Sequence, residues 1–302
     1  MYKTIKNSPI LLLFVKLIFT GIVLAIIYTQ LKKIDWKDLH AISIVQPISL
    51  VCALLLAFVN QFFEYRKWKA TLTFLEETTQ TVQSYLAGVL TGFLTPSLLG
   101  NFIGRMYYYP RKKRSQIIVL TFLGNGAQFL ASISFGLLAV ALLGQEQLHI
   151  PRFNSGIAFG VITLMLLIYF LFDKSLVPIQ KWKTKIIPLL AGTEKLRFKI
   201  LLFSLLRYLV FSIQYCLLFL AFGIPFSLDL VLWVWQIFFW STLAPSLWLG
   251  KLFIRESIAL WILFPIIGHP EIILLSSVSL WIINHGLTAL IALPFFKKQV
   301  KC

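Results

Sequence analysis

Acidic residues are scarce in this chain. Only 11 Asp and Glu stand against 28 Lys and Arg, and all charged residues together fill 13% of the 302 positions. A soluble domain carries about a quarter charged residues, so a sizeable water-facing domain is excluded. Cysteine is rare too. Cys52 and Cys216 lie inside apolar runs and Cys302 ends the chain, which excludes a disulfide framework and a zinc spacing. No phosphate-binding Gly-rich loop ending in Gly-Lys, no His-Glu-x-x-His and no Gly-x-Ser-x-Gly occurs. ATPases of the first class, zinc hydrolases of the second and serine hydrolases of the third are therefore excluded. No metal and no cofactor is expected, and no catalytic residue is visible.

What is present is apolar. Hydrophobic residues make up 59% of the chain and mean hydropathy is +0.85, the composition of an all-α polytopic membrane protein. The net charge of +17 does not point to nucleic acid, because the bases cluster in short stretches between apolar runs. That placement fits cytoplasmic loops and anionic lipid head groups. Lys3 and Lys6 precede a long apolar run without a clear cleavage site, which reads as an uncleaved first helix.

One stretch occurs twice. Leu94 to Arg105 reads LTPSLLGNFIGR, and Leu243 to Arg255 reads LAPSLWLGKLFIR. Gly100 and Gly250 lie 150 positions apart, as do Arg105 and Arg255, close to half the chain. The expectation is a single membrane domain over 1–302, built from related halves, 1–150 and 151–302. Each copy puts Pro, Gly and Arg in an apolar setting. Such residues disturb a lipid-facing helix and mark backbone lined by protein at membrane depth.

Span candidates run from Pro9 to Leu31, Ser43 to Phe63, Gln116 to Leu143, Gly156 to Phe172, Leu201 to Phe222 and Ile272 to Phe296. The first motif occupies Tyr85 to Gly104 and the second Leu230 to Gly250. Ser257 to Gly268 is too short to span, since a helix needs about 20 residues. Both flanks of the first motif are basic, so it is read as a re-entrant hairpin entered from the cytoplasm. On that reading 20 of the 28 Lys and Arg lie inside, and only Lys32, Lys33, Lys37 and Arg152 lie outside. Three spans separate the motifs, so the second approaches from the opposite face, the arithmetic of an inverted repeat. Six full spans plus broken segments, or eight helices by a looser count, are expected, with both termini cytoplasmic. Lys174 to Lys195 reads either as a basic amphipathic surface helix or as a solvated loop.

Arg105 and Arg255 are the first candidates for chemistry. Arg at membrane depth costs about 2.5–3.5 kcal/mol, and its fork suits phosphate. Each either binds a lipid phosphate or ends its hairpin at the interface. Lys251 accompanies Arg255, and Glu256 is either its counter-ion or a proton site. Pro96, Gly100, Pro245 and Gly250 break or bend helices, freeing backbone N–H groups for an anion, or else serve helix packing. Arg207 sits mid-span with Glu256 or a lipid phosphate as partner, and Arg66 ends the second span. Asn101, Asn60, Gln61, Gln128, Gln214, Asn284 and His285 add polar groups at span positions. Tyr107, Tyr108, Tyr109, Trp36, Trp68 and Trp182 read as interfacial aromatics. Carboxylates at membrane depth are nearly confined to Glu256.

The two motifs resemble those of the transmembrane region of lysylphosphatidylglycerol synthases, the flippase-like part of the multiple peptide resistance factor. The first reads Pro96, Gly100-Asn101, Arg105 where the family has Pro-x-x-x-Gly-Glu-x-x-Arg, with Asn101 in place of the Glu and Arg105 one place late. The second keeps Pro245, Gly250, Arg255 and Glu256 in order, with Leu252 in place of a Gly. Arg66-Lys67-Trp68 matches an Arg-x-Trp after the second span. The resemblance implies binding and translocation of phospholipid or polyprenyl-phosphate-type lipid in a bacterial cytoplasmic (inner) membrane. Arg105, Arg255, Arg207, Arg66, Asn101 and Lys251 are then the head-group candidates. The aminoacyl-transferring domain is absent, so the chain is expected not to make lysyl-lipid alone. An accessory or scaffold protein for a lipid-modifying or glycosylating enzyme, and a membrane transferase on lipid-linked substrates, are the alternatives.

Overall fold

The computed structural model describes residue 28 and residues 43–94, 99–143, 154–171, 187–244 and 250–296, all of it helix and connecting turns. Pro47 fixes the first turn of α1 (Pro47–Phe74). A short pair follows, α2 (Thr81–Leu94) and α3 (Leu99–Tyr107), then α4 (Arg111–Leu143) and α5 (Ser155–Leu171). A four-residue turn, α6 (Ile187–Leu190), precedes α7 (Glu194–Ala221). The Ser227 hydroxyl caps α8 (Leu228–Leu243) by accepting from the Leu230 amide. Next come α9 (Gly250–Ile267) and α10 (Pro270–Trp281). Gly268, at φ +73°, and Pro270 make the turn between them. A π-helical segment, Ile282–Gly286, joins α10 to α11 (Leu287–Phe296).

Among the described residues four helices are long and apolar enough to cross a membrane: Pro47–Phe74, Arg111–Leu143, Glu194–Ala221 and Pro270–Pro294. Six full spans were expected. Pro9 to Leu31 lies outside the described residues, and α5 has 17 residues, about 25 Å of helix. The paired helices are shorter still. With 14 and 9 residues, α2 and α3 rise about 21 and 14 Å, less than a hydrocarbon core of about 30 Å.

Two boundaries differ from the sequence reading. The second span does not stop at Phe63. It continues as helix to Phe74, so Glu64, Arg66, Lys67 and Lys69 sit on helical turns rather than in a loop. Likewise the run Arg111 to Arg114 is the first turn of α4. Glu64 and Lys67 continue the inward face of α1, and this overrides their polarity as a stop signal.

The burial pattern of α1 is the reverse of a soluble helix. Ser49, Asn60, Glu64, Lys67 and Thr71 are buried, while Ile48, Val51, Leu55, Phe58 and Phe62 are exposed. Polar groups inside and apolar groups outside are what a lipid solvent selects.

The order of elements repeats. A 28-residue helix, a pair of shorter helices and a long helix appear as α1, α2–α3, α4 and again as α7, α8–α9, α10–α11. Contacts between the two sets are exchanged: α1 packs along α7, α2 packs on α11 and α8 packs on α4. Phe135 of α4 stacks on Tyr208 of α7 at 4.9 Å and touches Trp235 of α8 at 4.6 Å. Phe93 of α2 meets Trp281 of α10 at 5.5 Å.

Small residues allow the α2–α3 approach. Gly88 and Gly92 on α2 face Asn101 and Arg105 on α3, and Gly104 on α3 faces Ala87 and Thr91 on α2; Gly88 and Gly92, like Gly100 and Gly104, lie four residues apart. A Cβ on Gly104 would overlap the Thr91 hydroxyl and the Ala87 carbonyl. This small-x-x-x-small pattern was present in the sequence and went unread.

Candidate functional site

Asn60, Glu64, Trp68 and Thr71 recur at helical spacing on the buried face of α1, and Lys67 lies beside them. Glu64 is the centre of what they build. Its Oε2 lies 2.6 Å from Lys67 Nζ and 3.0 Å from Arg207 Nη1, and its Oε1 lies 3.0 Å from Arg105 Nη2. One carboxylate thus holds three cations, brought in by α1, α3 and α7. Glu64, Lys67 and Arg105 are buried; the Arg207 side chain, 23% exposed, is where the cluster meets its surroundings.

Each cation is oriented by more than charge. Arg105 lies over the Trp68 ring, 4.5 Å from its centroid. The Trp68 indole N–H donates to Ser84 Oγ at 2.9 Å, and Ser84 Oγ is 3.0 Å from the Tyr109 hydroxyl, which ties α2 and the end of α3 to α1. Gly88 leaves the space that Arg105 and Asn101 fill, since a Cβ there would come within 2.7 Å of each. Arg207 Nε donates to Asn60 Oδ1 at 3.0 Å. Two buried polar atoms beside Gly88, Arg105 Nε and Asn101 Oδ1, have no hydrogen-bond partner among the described residues.

From Asn60 a chain of amides continues into the second set of helices. Asn60 Nδ2 donates to Asn284 Oδ1 at 2.6 Å, Asn284 Nδ2 donates to Gln214 Oε1 at 2.8 Å, and Gln214 Nε2 donates to the Ala53 carbonyl at 2.8 Å. Asn284 sits in the π segment. Its carbonyl accepts from Gln61 Nε2 at 2.9 Å and from Thr288 Oγ1 at 2.8 Å. Tyr85 of α2 donates to Gln61 Oε1 at 2.7 Å. Helical backbone of this kind is tolerated where side chains take up the displaced carbonyl.

Arg255 has a different setting. Its Nη2 lies 2.6 Å from Glu256 Oε1 and donates to the Ser277 carbonyl at 2.8 Å, and Ser277 Oγ donates to Glu256 Oε1 at 2.9 Å. Arg255 and Glu256 are both buried, and their charges cancel.

The structure therefore joins Arg105 and Arg207 of the candidates and leaves Arg255 with Glu256. Arg207 pairs with Glu64, not with Glu256. Glu64 and Lys67 were missed, and buried carboxylates are not confined to Glu256. Arg66 stands apart on the exposed side of α1, its guanidinium 5.6 Å from the Phe62 ring and 5.9 Å from that of Phe203. Asn101 reaches Gly88 beside Arg105, and Gly100 is buried with its carbonyl accepting from Thr91. Gly250 is the first residue of α9. Pro96, Pro245 and the Lys251 side chain lie outside the described residues. Trp68 and Tyr109 are buried against Arg105 and Ser84 rather than interfacial; Trp36 and Trp182 lie outside the described residues. Arg197, expected in a basic loop, is buried on α7. There it donates to the Tyr169 and Phe170 carbonyls at the end of α5, a favourable place for a cation. His285 is exposed. Among the described residues no group of His, Cys, Asp and Glu is arranged to hold a metal. Comparison of the chain with protein-family models, with curated proteins and with solved structures gives no match.

Proposed function

We propose that the chain is a flippase-like membrane protein that binds and translocates phospholipid or polyprenyl-phosphate-type lipid. The observation that carries this reading is the buried Glu64 cluster, where three cations share one carboxylate. Surplus positive charge away from water is costly unless an anion joins it. A head-group phosphate supplies that anion, with oxygens matched to Arg and Lys donors.

The exchanged contacts of the two element sets support an inverted repeat spanning 1–150 and 151–302. The α2–α3 and α8–α9 pairs are then re-entrant, one from each face, as the two Pro-Gly-Arg motifs imply. The resemblance to the lysylphosphatidylglycerol synthase transmembrane region adds the substrate class. A bacterial cytoplasmic membrane with both termini inside is part of this reading.

The test is lipid movement in liposomes, followed by quenching of fluorescently tagged lipid in the outer leaflet. Wild type and Lys69→Ala, which alters an exposed charge of α1, should equilibrate one lipid class. Arg105→Ala and Arg207→Ala should slow this about tenfold or more, the loss of a charge-assisted contact of about 1.5–3 kcal/mol. A well-folded wild type that moves no lipid would sink the reading and favour an accessory role beside a lipid-modifying enzyme.

A further inference from the structure

The charge count of the cluster says more than that an anion binds. One negative and three positive groups leave a surplus of two positive charges among the described residues. Elsewhere among the described residues Glu77 pairs with Lys113 and Glu256 with Arg255, and Glu271 lies beside His269. Neutral acceptors reach only part of the surplus. Asn60 takes Arg207 Nε, whereas Arg105 Nε, on a residue 3% exposed, has no hydrogen-bond partner among the described residues. Lys67 and Arg105 are sealed from water, and Arg207 leaves one side open.

A phosphodiester carries one negative charge. Bound here it would leave one buried cation uncompensated, a costly state. A phosphate monoester carries about −1.5 to −2 at pH 7 and three strong acceptor oxygens. Two charges cancel the surplus, and three oxygens match the three cationic side chains. We propose that the Glu64 cluster selects a terminal phosphate dianion, as on a lipid phosphomonoester, over the phosphodiester of ordinary glycerophospholipids. This deepens the lipid-phosphate reading above and rests on it. The Arg255–Glu256 pair, already neutral, has no such demand, so the two halves are not equivalent binding sites.

The experiment uses the full chain in nanodiscs of phosphatidylcholine. Binding of phosphatidic acid, of phosphatidylglycerol with the same acyl chains and of inorganic phosphate is measured by native mass spectrometry. Near pH 7 phosphatidic acid should bind about tenfold more tightly than phosphatidylglycerol. The preference should shrink severalfold near pH 5, below the monoester's second pKa of about 6. Lys67→Met should shrink it too, by removing one charge of the surplus. The pH series needs no variant, so a Lys67→Met chain that misfolds leaves the test intact. Equal binding of the two lipids would overturn dianion selection and leave the lipid reading standing. Binding of neither lipid would overturn both. Inorganic phosphate bound as tightly as phosphatidic acid would place the dianion's source in solution and remove the lipid from the proposal.

Discussion

Glu64 holds Lys67, Arg105 and Arg207 together, so its charge and theirs contribute unequally to stability. Glu64→Gln leaves buried Lys67 and Arg105, and partly exposed Arg207, with no counter-charge, and removing one partner of a buried pair costs about 3–5 kcal/mol. Lys67→Met removes a cation from a cluster that has too many, and the carboxylate keeps two partners. Thermal unfolding in detergent should therefore place Glu64→Gln well below Lys67→Met. The reverse order would mean that the surplus charge is not felt in the folded protein. The sequence made Arg105 and Arg207 visible, because each interrupts an apolar surrounding. It hid Glu64 and Lys67, which sit in the run Glu64-Tyr65-Arg66-Lys67-Trp68-Lys69. That run follows an apolar stretch and reads as a loop at the membrane surface. Only the fourfold spacing of Asn60, Glu64 and Trp68 on one face distinguishes it, and Arg66, pointing outward in the same run, obscures that spacing.

At the level of elements, two close contacts set the geometry around Arg105. Gly104→Ala would drive a methyl group into the Ala87 carbonyl and the Thr91 hydroxyl. Backbone cannot yield there without parting α2 from α3, and overpacking of this kind costs about 1–3 kcal/mol. Gly88→Ala presses instead on the flexible Arg105 side chain. It should spare most of the stability and weaken anion binding, whereas Gly104→Ala should lower the unfolding temperature; binding and unfolding measured on the same preparations separate the two. The π segment offers a third contact of this rank. Asn284→Leu strips partners from Asn60, Gln214 and Leu280. Unsatisfied buried amides cost about 1–3 kcal/mol each, so a clear fall in unfolding temperature is expected. The end of α8 at its extended cap Ala244, next to Pro245, was legible in the sequence. The π segment was not, because Ile282-Ile283-Asn284-His285-Gly286 has no composition that separates it from ordinary apolar helix.

The whole molecule is held by exchange between its two sets of helices. The sequence offset of about half the chain could not say that α2 would rest on α11 and α8 on α4, since partner choice depends on side chains far apart in sequence. Phe93→Cys with Trp281→Cys tests the exchange. With Cys52, Cys216 and Cys302 replaced, a short bifunctional thiol reagent should join the pair within one chain, read as a mobility shift. No intramolecular product in a folded sample would refute the α2–α10 contact. That exchange also governs how the protein can be made. The ribosome delivers Glu64, Lys67 and Arg105 long before Arg207, and Asn284 close to the end. A chain halted at its midpoint offers hydrocarbon a charged helix face and an uncovered α2, with Asn60 still lacking its amide partner. The ion cluster is therefore complete only once α7 is made, and its amide support only once the π segment follows, so a shorter chain leaves Glu64, Lys67 and Arg105 without their third helix.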